Sequence, residues 1–399
     1  MRLSRRIESI TDGGGDGWGV HYRARALEAE GRPVVFLTVG DHDIKADIAV
    51  IEAMAASARG GNLGYAPTTG VPALRAAIAE RLSRTTGTAT TPAEVLVTAG
   101  GQASLFFAMM AVLDPGDACL LTDPHYATFP LTVRAASARP VMVPARAEDG
   151  FVPRAEALAE AAVASGARAL LINSPNNPTG AVYGRADLEA IAAVCHRHDL
   201  WLISDELYDS QVWHGAHLSP RSLSGMAERT LVVGSLSKSH AMTGFRLGWL
   251  CGPAQAITRA GEFAIAATYG TPGFIQDAAL HALRDGGGTE AAIAARYRRR
   301  RDLGLAALDR ARGVRAHPAS GGMYLMLDIR ATGLSGAAFA EALLEAEGIA
   351  VMPGESFGAA ASGQVRVALT VPDAMLADAL ARLAAFADAR AAANALVES

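Results

Sequence analysis

From Glu94 onward the chain repeats one rhythm: a short apolar, often β-branched run that ends in polar residues, then an Ala- and Leu-rich stretch with helical spacing. The runs are VLVTAG, CLLTDP, ALLINSP, LWLISDE, TLVVGSL and GWLCG, and helical stretches start at Ala103 and Asp187. Alternation of this kind predicts βαβ units and a mainly parallel sheet, because parallel neighbours need a crossover long enough to hold a helix. In such sheets ligands gather at the carboxyl ends of the strands. Those ends carry Gly101 and Gln102, Asp123, Asn173 to Asn177, Asp205, and Ser235 to Lys238, so one polar edge is expected.

After about Gly288 the rhythm changes. A long helical stretch, EAAIAARYRRRRDLGLAALDRA, precedes MYLMLDI, another helix, IAVMPG, VRVALT and a final Ala-rich helix, which predicts a smaller α+β domain. The expected fold class is α/β: a large domain over 45–290 with a mainly parallel sheet, and a small α+β domain built from 1–44 and 291–399. Glu290 and Asp302 flank the Arg298–Arg301 run, which reads as a solvated or interdomain face. The glycines at 13–15 read as an N-terminal loop.

With half of its 399 residues hydrophobic, the chain can bury a large core. A net charge of -4 leaves no basic excess for a phosphate backbone or an anionic bilayer, so small molecules are the expected partners, with no nucleic acid and no membrane. Cys119, Cys195 and Cys251 lie far apart in apolar stretches and read as buried thiols rather than disulfides or metal ligands. No apolar run follows the basic N-terminal residues, and no segment offers ~18 uncharged apolar residues in a row. A cytoplasmic protein is expected.

The segment SLSKSHAMTGFRLG, Ser235 to Gly248, sets Lys238 among hydroxyls and glycines. An ammonium in water needs no such setting, whereas small neighbours leave room for something bulky. Asp205 ends a buried run, where a carboxylate is costly unless it meets a cation. A cationic ligand atom would serve, although the residue alone reads more readily as a cap or loop aspartate. Gly100, Gly101 and Gln102 stand between a strand and a helix, where free amides and the helix dipole suit an anion. Alone they make a tight turn; with Ser235, Ser237 and Arg246 they would enclose a phosphate. INSPNNPTG is a rigid turn, with room for cis prolyl bonds, that fixes Asn177.

Joined together, these segments resemble the class I, fold type I aminotransferases that use pyridoxal 5'-phosphate, most closely the bacterial aspartate aminotransferase-like subgroup. The resemblance runs from SRRIESI through LGYAPTTGVPALRAAIAE, INSPNNPTGAVY and SDELYDS to VRVALT. It implies that Lys238 holds the cofactor as a Schiff base and then carries the proton at Cα, and that Asp205 keeps the pyridine nitrogen protonated. Tyr208 and Asn177 would bind the ring's phenolic oxygen, and Tyr126 would stack on the ring. Ser235, Ser237, Arg246 and the amides near Gly101 and Gln102 would hold the phosphate, with Tyr65 reaching in from the second subunit of a homodimer whose active sites are shared. Arg366 and Gly40 would take the α-carboxylate of the amino-acid substrate.

The chain departs from that pattern at three places. GDHDIKAD carries His42 where many relatives have proline, and sequence offers no physical account of it. Gln102 stands where aspartate-specific members have a lysine, which discounts acidic substrates. Trp18, behind Asp16 and Gly17, and Tyr269, from the partner, would line an apolar side-chain pocket. The expected activity is transfer of the α-amino group of a neutral or aromatic amino acid to a 2-oxo acid, 2-oxoglutarate or pyruvate, by a ping-pong mechanism. The alternative is another fate of the same Cα carbanion on the same fold: a β-C–S lyase, a decarboxylase, a ring-forming synthase or an oxidase. A transcription regulator with an aminotransferase-like sensor would need a DNA-binding domain, and the resemblance starts too near residue 1 for one to be expected.

Overall fold

Seven strands form the large sheet: β1 (Val95–Thr98), β2 (Ala118–Asp123), β3 (Arg139–Pro144), β4 (Ala167–Asn173), β5 (Trp201–Asp205), β6 (Thr230–Ser235) and β7 (Gly248–Cys251). They belong to a computed structural model that describes residues 1–11, 17–284 and 287–398, so the Gly13–Gly15 loop and Asp16 lie outside the described residues. Strand order is β1-β7-β6-β5-β4-β2-β3. All neighbours are parallel except β7, which runs against both β1 and β6. Helices cover both faces, so β4, β5 and β6 read as nearly unbroken apolar runs rather than alternating ones. The edge strand β3, RPVMVP, escaped the sequence reading because it carries two prolines and a partly exposed pattern, both of which an edge tolerates.

Helix starts shift from their expected places for local reasons. The helix expected from Ala103 begins at Gly101, since Gly100 takes φ 84° and turns the chain straight out of β1. The helix expected from Asp187 spans Arg185–Arg197, because the Asp187 carboxylate accepts from the Gly184 amide at 2.8 Å and caps the turn before it.

Beyond the long Gly288–Leu308 helix, a second sheet is wholly antiparallel: β8 (Arg315–Ala316), β9 (Tyr324–Asp328), β10 (Met352–Pro353) and β11 (Gln364–Ala368), in the order β10-β11-β9-β8. Its core joins Leu325, Leu327, Phe339, Leu343 and Leu380 with Val20 and Leu27 from the N-terminal part of the chain. A parallel pair, Val35–Phe36 with Ile349–Ala350, ties that N-terminal segment to this body.

Within the arginine run, Arg300 is 2% exposed and anything but solvated. It grips Asp43 through bonds of 2.6 and 2.8 Å and Asp373 through one of 2.8 Å. Buried ionic groups demand partners of this kind. The three cysteines are free and buried, and burial pushes each thiol up to about 12. Among the described residues no helix is long and apolar enough to cross a membrane, and no cluster of side chains could hold a metal ion.

Candidate active site

Because β7 reverses direction twice over, β1 points the same way as β4, β5 and β6, and their carboxyl ends open together into a cavity of about 260 Å³. Val39, Gly40 and Asp41 close it from one side, and Tyr324 of β9 and Arg366 of β11 from another. Lys238, Asp205, Tyr208, Asn177, Tyr126, Ser237, Arg246, Gly101, Gln102, Gly40, Arg366 and Trp18, picked out along some 350 positions of sequence, all line it.

Asp205 ends β5 and is 5% exposed. One carboxylate oxygen accepts from the Leu207 amide at 3.2 Å, and among the described residues no cation pairs with it. Burial pushes its carboxyl up to about 7, with the Leu207 amide pulling down and Glu206 adding a smaller push. The segment behind it is braced: Glu206 accepts from Ser219 at 2.7 Å and pairs with His217 at 2.9 Å, and Asp209 meets the buried Arg81 at 2.8 Å.

Arg366 is the complementary case. It is 1% exposed, stacks over the rings of Tyr324 at 4.3 Å and Phe357 at 4.5 Å, and donates to the Asn177 side chain at 2.7 Å and to the Thr38 carbonyl. Among the described residues its Nε has no hydrogen-bond partner and no carboxylate pairs with it. Burial lowers its pKa from the ordinary guanidinium value. A buried anion without a cation and a buried cation without an anion therefore face one cavity.

Lys238 follows the end of β6, in the short Leu236–Ser239 helix, and its Nζ donates to the Gly40 carbonyl. Gly40 must be glycine here, since a Cβ would overlap the Tyr324 hydroxyl. Arg246 sits with φ 52°, donates to the Thr243 carbonyl at 2.9 Å, and lies so close to Gly100 that a Cβ there would come within 2.6 Å of its guanidinium. The free amides of the Gly101–Val112 helix and this guanidinium thus share one concavity.

Three expected positions are not in the wall. The Ser235 hydroxyl caps the lysine helix from behind, 2.8 Å from both the Ser237 hydroxyl and the Leu247 carbonyl. Tyr65 is 90% and Tyr269 54% exposed, and their rings meet each other edge to face at 5.0 Å, away from this chain's cavity. The Gln102 amide faces the cavity but is held at both ends, donating to Thr132 at 2.7 Å and accepting from Thr128 at 2.9 Å.

Sequence reasoning missed Tyr324, and it placed Asn173 at a strand end without giving it a role. Tyr324 lies 3.1 Å, hydroxyl to hydroxyl, from Tyr208 and carries Arg366 on its ring. Its signal was a tyrosine at the start of an otherwise apolar buried strand, where a hydroxyl needs a partner. Asn173 accepts from the Asn177 amide at 2.7 Å and donates to the Asp205 carbonyl at 3.0 Å, locking the turn to β5. Asp123 ends β2 but serves structure: its carboxylate takes the Ala359 and Ala360 amides at 3.1 and 3.2 Å. The Ser174–Pro175 bond of the turn is cis, as the proline pattern allowed.

The profile of the family described as aminotransferase class I and II matches residues 32–383. An arginine–pyruvate transaminase of Pseudomonas aeruginosa is 43% identical over 384 residues, spanning 96% of this chain and 98% of that protein. The aspartate aminotransferase of Thermus thermophilus solved with maleate superposes with a TM-score of 0.90 at 38% identity, covering 96% of this chain and all of the other. The aromatic aminotransferase of Pyrococcus horikoshii gives 0.86 at 33%, covering 92% and 99%. With a lysine, an unpaired carboxylate and a guanidinium-lined anion cradle in one cavity, matching what pyridoxal phosphate requires, the chain belongs to the class I and II aminotransferases, enzymes dependent on that cofactor.

Proposed function

We propose that this aminotransferase takes a neutral or aromatic L-amino acid as donor, with 2-oxoglutarate or pyruvate as acceptor, and that the cavity residues divide the work as follows. Pyridoxal phosphate, when bound, supplies an electron sink that acidifies the Cα–H of an amino acid joined to it. Asp205 binds the ring nitrogen and, as a carboxylate matched to a cation, keeps it protonated. Tyr208 and Asn177 bind the phenolic oxygen, and Tyr126 packs on the ring. Ser237, Arg246 and the amides at Gly101 and Gln102 bind the phosphate, with Ser235 behind Ser237. Lys238 holds the cofactor and, released as an amine, moves the proton off Cα. Arg366, with Gly40 beside it, binds the α-carboxylate.

The observation that carries this reading is the pair of unmatched buried charges. The cofactor's ring cation would satisfy Asp205, and the substrate's carboxylate would satisfy Arg366. The remaining cavity cations, Lys238 and Arg246, both have other tasks, so a second carboxylate on the substrate finds no partner. Leu105, Leu207 and Trp18 offer apolar wall instead. A second reading is a cationic donor: Asp41 lines the cavity, its described hydrogen bonds come from Thr243 and the His42 amide and from no cation, and the Pseudomonas aeruginosa relative is named for arginine.

A single-turnover panel without acceptor decides between them. Phenylalanine, methionine or alanine should convert the lysine-bound absorption band faster than aspartate, glutamate or arginine. Preferential conversion by arginine would establish the second reading, and turnover of aspartate and glutamate alone would refute both. Arg366→Lys should raise KM for the amino acid by about 10²-fold through loss of the two-pronged grip, while the cofactor spectrum stays as it was. Equal damage to both would remove Arg366 from the substrate site.

The reading extends to a homodimer in which Tyr65 and Tyr269 serve the partner's cavity. Their exposure, and that of Ile48 and Leu63 at 65% and 68%, supports it. A large domain of 45–290 and a small one of 1–44 with 291–399 suit the two separate sheets. The three unpaired thiols suit the reducing cytoplasm.

A further inference from the structure

The opening segment SRRIESI carries part of the family resemblance but takes no part in the cavity. Its short helix, Arg5–Glu8, lies against the Phe129–Ala135 helix, where the Arg6 Nε donates to the Ser137 hydroxyl at 2.6 Å and Arg134 reaches the Ile10 carbonyl at 3.5 Å. Beside that contact opens a hollow of about 760 Å³ with Arg2, Arg5, Arg6, Arg134 and Arg139 in its wall. Among the described residues, no acidic side chain and no aromatic ring lines it. Arg139 opens the edge strand β3 and donates to the Ser165 carbonyl at 3.1 Å, while the guanidinium groups of Arg2 and Arg5 have no partner among the described residues. Elsewhere on the surface exposed arginines are matched: Arg23 by Glu341 and Glu345, Arg154 by Asp149, and Arg330 by Asp328.

Like charges gathered in one hollow repel one another unless an anion joins them, and on a chain of net charge -4 such a concentration is local. A guanidinium fork binds phosphate oxygens two at a time, and a tetrahedral phosphate has oxygens enough for several forks to converge on it. Ser4, whose hydroxyl caps nothing, adds a neutral donor to the wall. With no ring to stack on, a nucleobase finds no platform, and a single hollow gives no track for a nucleic-acid strand. We propose that this hollow is a binding site for a small polyphosphate chain, recognised by its phosphates. Its place on the fold leaves it open. β3 is one edge of the large sheet and β1 the other. Tyr65 and Tyr269 belong to the β1 side, where the Val97 amide donates to the Thr69 carbonyl at 3.0 Å and a Cβ on Gly270 would lie 3.2 Å from Thr68. The hollow therefore stands clear of the face proposed for the partner subunit, and it is independent of the roles proposed for the cavity.

The test is calorimetric titration of the cofactor-loaded enzyme with inorganic tripolyphosphate, which should fill one site per chain with a Kd of about 10 µM. Loading the enzyme first matters, because Gly101 and Arg246 offer an anion cradle of their own. Arg5→Gln and Arg139→Gln should each weaken binding about tenfold, and the double variant about 10²-fold, as losses of separate charge-assisted contacts do. Both side chains are exposed, so the melting temperature should stay at the wild-type value. Arg312→Gln, at an exposed arginine outside the hollow, should leave binding unchanged. Citrate, whose planar carboxylates present fewer oxygens to each fork, should bind about tenfold more weakly. ATP separates two sources of the same chemistry: affinity equal to that of tripolyphosphate assigns the tail of a nucleotide, and a loss of about tenfold assigns a free chain. The proposal is overturned by the absence of binding up to about 1 mM, by binding that survives in the double variant, by an equal loss in Arg312→Gln, or by citrate that binds as tightly as tripolyphosphate.

Discussion

Lys238→Ala should reduce transamination by about 10⁴-fold or more, since in the role proposed for it the lysine both holds the cofactor and moves the proton at Cα. The protein should still fold and still bind pyridoxal phosphate without a covalent bond. The residue stands in a four-residue helix whose cap, Ser235, and whose packing residue, Leu236, are untouched, and the anion cradle at Gly101 and Arg246 is independent of it. Two measurements separate these statements. The absorbance of the mixture should be that of free aldehyde, and borohydride should leave no adduct on the protein. Equilibrium dialysis should nevertheless find cofactor retained. Residual activity above a tenth of wild type would assign the proton transfer to another group in the wall.

Asp205→Asn should cost about 10²- to 10⁴-fold in turnover, the usual consequence of removing one member of a desolvated ion pair, because in the role proposed for it this carboxylate keeps the ring nitrogen protonated. The same substitution should stabilise the cofactor-free protein at high pH. Without a cation, the Asp205 carboxyl is raised from 3.8 to about 7, mainly by burial. Below the unfolded value both states hold the proton, and stability is unaffected. As pH rises from there toward 7, the unfolded chain releases a proton that the folded chain still binds, so stability falls, and above 7 the loss is complete. Between pH 5 and 8 this amounts to about 3 kcal/mol. Denaturation of cofactor-free wild type and Asp205→Asn at both pH values isolates the effect as a difference of differences. Bound cofactor should abolish the wild-type slope by supplying the missing cation. An identical slope in both proteins would mean that Asp205 already has a partner.

The residues that the strand ends bring to the cavity, and that we propose hold the cofactor, were legible in the sequence because their chemistry is local. Lys238, Ser237 and Arg246 stand within one 14-residue segment, Gly101 and Gln102 at one strand-to-helix turn, and Asp205 with Tyr208 at one strand end. Each such group is positioned by the strand that precedes it, and parallel topology brings strand ends together whatever lies between them. The mainly parallel sheet was readable for the same reason, since a buried strand announces itself by an unbroken apolar run. The edge strand β3 was not, because an edge neither requires such a run nor excludes proline.

The part of the cavity proposed to take the substrate depended on tertiary structure. Arg366 and Tyr324 are adjacent only because β9 and β11 pair antiparallel, and their relation to Asn177, 189 positions from Arg366, cannot be seen in any local pattern. The same is true of His42, whose ring nitrogen meets the hydroxyl of Tyr297, 255 residues away, and of Gln102, which became a spent amide once Thr128 and Thr132 were found at its two ends. Sequence alone determined which residue types the strand ends present to a common edge. Only the folded chain decided which of them are already satisfied by neighbours and which are left waiting for a ligand, because burial and hydrogen-bond pairing are properties of contacts between distant segments.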